Sequence, residues 1–154
     1  MKKGYTLLEI LVSLSIIGII FVVGYAGFRD FARRQALQAG ARSVQGDLRL
    51  AQEQALAGKK PSGCNTLSSF SFEVVDTASY EVSAVCNNGS YLVKEGQLSE
   101  GIVFDPLPSP NPVLFKVIGQ GTNIGVGSSA NFTLLQEATG TTNTISVNWT
   151  GEIK

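Results

Sequence analysis

One feature limits what this chain can fold into more than any other. It opens on an apolar run, MKKGYTLLEILVSLSIIGIIFVVGYAGF, in which the 24 residues 5–28 carry a single charge, Glu9. At 1.5 Å per residue that run makes a helix of about 36 Å, enough to cross a hydrocarbon core of roughly 30 Å. The run therefore predicts a transmembrane helix. A carboxylate inside such a span costs a few kcal/mol and a plain anchor has no use for one. Glu9 needs a partner.

The basic start, Met1-Lys2-Lys3-Gly4, suggests a secretory signal, but the apolar stretch is too long for one and lacks a small-x-small cleavage site. Only Lys2 and Lys3 precede the run, whereas Arg29, Arg33, Arg34 and Arg42 follow it. By the bias of cations toward the cytoplasm, that count alone would place the C-terminal side inside. The motif overrules the count. A short basic leader ending in Gly4, followed by an aromatic residue (Tyr5), Thr6, Leu7, Leu8 and Glu9, resembles the start of the type IV pilin and type II secretion pseudopilin superfamily. An ordinary anchor would need Gly, Thr and Glu to fall at these spacings by accident.

The resemblance implies cleavage between Gly4 and Tyr5 by a prepilin peptidase, followed by methylation of the new amino group of Tyr5. It also implies that Glu9, with Thr6, serves assembly by facing the N-terminal amine of a neighbouring subunit. Opposite charges in a low-dielectric core offset their desolvation only when well placed, so such a pair works as a register device. Tyr5 stands where the family usually has Phe, and the aromatic ring is kept. The implied partners are the peptidase, other pilin or pseudopilin subunits met through the N-terminal helix, and the cytoplasmic membrane before assembly.

About 125 residues follow the apolar run, enough for one head domain with a core. Charge is segregated along them. Residues 29–60 hold seven basic and three acidic side chains, and residues 61–154 hold three basic and eight acidic. The stalk is basic and the head acidic, so the head lacks the clustered cations that displace counterions from nucleic acid. Cys64 and Cys86 are the only cysteines and there is no histidine, too few ligands for zinc. A disulfide is the reading preferred over two buried thiols. It favours an oxidising compartment outside the cytoplasmic membrane, which agrees with the orientation the motif implies.

Beyond the span, Leu37, Ala41, Val44, Leu48, Ala51 and Ala55 recur at spacings of three and four, which predicts one long amphipathic helix. Its small residues suit close packing on a sheet better than a coiled-coil seam. Gly58 and Pro61 end it. Gly18 and Gly24 suit close crossings between helices. The pattern then changes to period two. It predicts strands at 69–75, 79–86, 90–94, 102–104, 113–118, 131–136 and 144–149, a hairpin turn at Asn87-Asn88-Gly89, and loops at 107–112 and 119–129. The expected fold class is α+β and pilin-like, a long N-terminal helix packed on an antiparallel head. Its parts are a leader (1–4), a transmembrane and filament-core helix (5–28), an amphipathic helix (29–60) and a β-rich head (61–154).

The ending, a strand followed by Gly151-Glu152-Ile153-Lys154, resembles H-type minor pseudopilins and related minor pilins. Near the prolines Asp105 and Asn111 supply too few oxygens for calcium. No cofactor, metal or catalytic constellation is expected. Sequons at Asn88, Asn131 and Asn148 are common by chance in a chain this rich in Asn, Ser and Thr. Trp149 is expected to be half core. Two functions fit: a structural filament subunit, or a binding module for DNA or an exported substrate displayed on the same anchor. The expected location is the bacterial cytoplasmic membrane, single-pass with the head outside, and then the filament.

Overall fold

The computed structural model describes residues 6–154, excepting the side chains of residues 22–24 and 26. The expectations at Met1–Tyr5, and the close crossing assigned to Gly24, lie outside the described residues. A single helix, α1, runs from Leu7 to Leu56, 50 residues without a break. Ala57 caps it by donating its amide to Glu53, and Gly58 follows at φ 59°. The left-handed turn that glycine tolerates sits where the sequence placed the stop.

The two halves of α1 meet different surroundings. Leu37, Ala41, Val44, Leu48, Ala51 and Ala55 are all buried. Ala36 packs partly against the core that includes them, and among the described residues the apolar side chains farther toward the N-terminus are exposed: Leu7 is 83% exposed, Phe21 73% and Phe28 67%. The i, i+3, i+4 spacing puts the buried residues on one face, and the head covers that face alone.

The head consists of two antiparallel sheets. In the first, β1 (Leu67–Val74) pairs with β2 (Ser79–Cys86) and with β5 (Val113–Lys116), and β3 (Gly89–Gln97) forms the outer edge beside β2. In the second, β6 (Ser129–Gln136) lies between β4 (Ile102–Phe104) and β7 (Thr141–Asn148). Alternate residues point inward: Phe70, Phe72 and Val74 on β1, Tyr80, Val82 and Ala84 on β2, Ala130, Phe132 and Leu134 on β6, and Ile145 and Val147 on β7. They form one core with the helix stripe. Phe72 joins the sheets, stacking on Tyr80 at 4.9 Å and meeting the edge of Phe132 at 5.2 Å.

Several boundaries move. β3 is longer than its 90–94 reading. β5 stops at Lys116 rather than at residue 118, because Val117–Gly119 turn in a 3-10 helix with Ile118 at φ 58°, a conformation a β-branched side chain seldom adopts. β7 begins earlier and ends at Asn148, so Trp149 lies past the strand and is 42% exposed rather than half core. The turn at Asn87-Asn88 forms as expected. The side-chain oxygens of Asn87 and Asn88 accept from the amides of Thr66 and Asn65, tying the hairpin to the segment that leaves the helix.

Cys64 and Cys86 are bridged across that same junction, with Cα atoms 5.8 Å apart and a sequence separation of 22. A bridge closing a loop of this size stabilises by about 3 kcal/mol, chiefly by restricting the unfolded chain. The double variant Cys64→Ser/Cys86→Ser is expected to lose that amount in urea unfolding of the full chain in detergent micelles. An unchanged midpoint would show that the bridge contributes nothing to stability.

Candidate functional site

Thr6 caps the free end of α1. Its hydroxyl oxygen accepts from the amide of Glu9 at 3.3 Å. Thr at the cap with Glu three residues on is the capping-box pattern, so the two residues the resemblance assigns to assembly also start the helix. A carboxylate in the first turn faces the positive end of the helix dipole. Glu9 is exposed, and among the described residues nothing pairs with its carboxylate.

From Glu9 an uncovered face continues along the helix. Ile10, Ser13, Leu14 and Ile17 line a shallow groove with Glu9, and Ile17, Ile20, Phe21, Tyr25 and Phe28 line a second. The two serines do not break its apolar character. Ser13 and Ser15 donate to the carbonyls of Glu9 and Leu11, each at 2.8 Å, so their polar groups are satisfied within the helix. Among the described residues, no helix is long and apolar enough to cross a membrane. The described side chains of the apolar run end at Phe21 and resume at Tyr25.

A polar clasp holds the other half of α1 to the head. Asp47, 5% exposed, accepts from the hydroxyl of Tyr80 at 2.9 Å and from the Lys94 ammonium at 2.6 Å. Burial is the main cause that pushes the Tyr80 phenol up to about 12, and the Asp47 carboxylate adds to it. The edge strand reaches this cluster through a bulge. Val82 pairs with Lys94 but Ser83 with Leu92, so Val93 is an extra residue that shifts the phase of β3. Lys94 and Gly96 thereby lie opposite the inward-facing Val82 and Tyr80. Gly96 is required there, since a Cβ would stand 2.1 Å from the Tyr80 ring.

The outer face of the same sheet is acidic. Glu73 pairs with Glu81, and Glu81 with Glu95, three carboxylates in register across β1, β2 and β3. Like charges directly opposite one another destabilise a sheet. The row also repels phosphate.

The predicted site residues therefore fall in separate places. Thr6 and Glu9 share the free end of α1, whereas Cys64 and Cys86 sit at the junction between helix and sheet and act on the head alone. Sequence reasoning passed over Asp47, Tyr80 and Lys94. One signal was available, a carboxylate three residues after Val44 and four before Ala51, at the margin of an apolar stripe. Asn88 and Asn148 are engaged structurally: the Asn88 amide donates to Gly63 and Tyr91, and the Asn148 amide to Glu152.

Residues 1–25 match the family model described as the prokaryotic N-terminal methylation motif. The match supports a type IV pilin-like prepilin and takes in Gly4, Tyr5, Thr6 and Glu9. No curated protein and no solved structure matches the chain.

Two outcomes test the clasp. Because the Tyr80 pKa is higher folded than unfolded, its neutral form stabilises the head fully below pH 10, and that contribution is lost as pH rises from 10 toward about 12. Tyr80→Phe should flatten this alkaline loss in unfolding curves, and an equally steep loss in the variant would contradict it. Gly96→Ala should destabilise by about 1 to 3 kcal/mol through overpacking against Tyr80, and a thermal midpoint equal to that of the parent would contradict it.

Proposed function

We propose that this chain is a structural subunit, a pilin or pseudopilin, of a type IV pilus-like or type II secretion filament. It is inserted in the cytoplasmic membrane as a single-pass protein with its head outside. Prepilin peptidase cuts it between Gly4 and Tyr5 and methylates Tyr5, and the subunit then assembles through its N-terminal helix.

One observation carries the reading. The methylation motif of residues 1–25 leads, within one unbroken helix, from a bare apolar half into a half buried by a β-rich head. A bare apolar surface of that extent needs lipid or other helices around it. Lipid satisfies it before assembly, and the equivalent helices of neighbouring subunits satisfy it afterwards. Glu9, exposed at the start of this surface, is then paired with the methylated amine of an adjacent copy. The head remains on the outer side, where the Cys64–Cys86 bridge is at home.

We further read the chain as a minor subunit of the H type. The support is its ending: Ile153 pairs with Val147, and Lys154 exchanges backbone hydrogen bonds with Ser146, so the Gly151–Lys154 tail folds back along β7.

Co-expression with a prepilin peptidase is expected to yield a chain whose intact mass lacks residues 1–4 and carries one added methyl group. A chain that keeps Met1 in a membrane fraction with active peptidase would overturn the reading. Glu9→Ala should insert and fold as the parent does, since an apolar residue suits the span better, yet fail to enter filaments. Incorporation equal to that of the parent would remove Glu9 from assembly.

A further inference from the structure

Between the bare apolar run and Leu37, the first buried residue among those described, lies a short stretch with a composition of its own. Tyr25, Phe28 and Phe31 are 58%, 67% and 59% exposed. Arg29 and Arg34 are exposed, and the Arg33 side chain keeps 32% of its surface. At 3.6 residues per turn the aromatic residues fall on one half of the helix circumference and the arginines on the other. The Arg29 guanidinium lies 5.9 Å from the centre of the Tyr25 ring, and Arg33 approaches Asp30 at 3.5 Å. Three arginines against one aspartate leave the stretch cationic on every reading of that contact.

We propose that residues 25–34 form a collar that seats the helix in the outer surface of the membrane, its arginines on anionic phospholipid headgroups and its aromatic rings at the boundary with the acyl chains. The proposal rests on the membrane-anchored reading given above. Aromatic rings with a polar or cationic neighbour concentrate at that boundary, and basic residues next to a span draw anionic lipid. The stretch rises about 14 Å along the helix, matching an interfacial layer rather than a hydrocarbon core. Its position is continuous with the apolar run on one side and clear of the head on the other. Three arginines on the exported side also run against the usual cytoplasmic bias of cations, and a lipid partner gives that departure a purpose.

Lipid selectivity measures this directly. The full chain is placed in phosphatidylcholine bilayers with a trace of spin-labelled phosphatidylglycerol or spin-labelled phosphatidylcholine, and the motionally restricted fraction of each is read by electron spin resonance. The anionic label is expected to be enriched several-fold over the neutral one, and the preference should collapse in high salt. Basic residues near a surface each contribute roughly fivefold at most, so Arg29→Gln/Arg33→Gln/Arg34→Gln should bring the two labels close to parity. Replacing the same three residues by lysine should restore the preference. Equal restricted fractions for the parent chain, in vesicles with which it floats, overturn the collar and leave the anchor standing. A chain that floats with no vesicle overturns both. Glutamine variants that keep the lipid preference but lose contact between copies would assign the arginines to the Glu73, Glu81 and Glu95 row of a neighbouring copy, and that also overturns the collar.

Discussion

The structure depends on one constraint: a helix of 50 residues can be buried by its own head along only half its length. From Leu37 onward the head supplies the cover, because the apolar residues recur on one face and two sheets close over it. From Leu7 to Phe28 the sequence, Glu9 apart, carries no charge on any side, and no single face of a small head could cover it. The fold thus contains its own division of labour. The C-terminal half of α1 belongs to the domain, and the N-terminal half belongs to whatever surrounds the domain.

A helix loaded this way must be fixed to its head firmly, since any force on the bare half is transmitted to the sheets. Apolar packing along the stripe is non-directional and would tolerate sliding. The Asp47 carboxylate, held by the Tyr80 hydroxyl at 2.9 Å and by Lys94 at 2.6 Å, supplies direction. It engages β2 and the edge strand β3 together, and buried charges of this kind act more by fixing register than by adding net stability. The Cys64–Cys86 bridge and the Asn87 and Asn88 contacts pin the chain where it leaves the helix, so the sheet is fixed both along α1 and at its exit.

The elements legible in the sequence are those governed by local periodicity. The stripe from Leu37 to Ala55, the stop at Gly58, the Asn87-Asn88 turn and the existence of all seven strands follow from spacing and turn chemistry, and the α+β class follows from them. Long-range chemistry escaped that reading. The bulge at Val93 breaks the alternation on which a period-two reading depends, so a strand drawn at 90–94 stops short of Gln97 and does not bring Lys94 to Asp47. Val113–Ile118 looks like one mostly apolar strand, yet the turn at Ile118 cuts it at Lys116. Division of the strands between two sheets is a property of tertiary pairing, which no single segment encodes. At the functional end, Thr6 and Glu9 were legible as a motif, but their capping contact appears only once the helix has a defined first turn.

The central claim is that assembly resides in the bare half of α1 and the head stands alone. Light scattering on a chain beginning at Arg29, which keeps every buried residue of the stripe, tests this most directly. A monomer at concentrations where the processed full chain co-assembles is the expected result. A stable oligomer formed through the head alone would contradict the account.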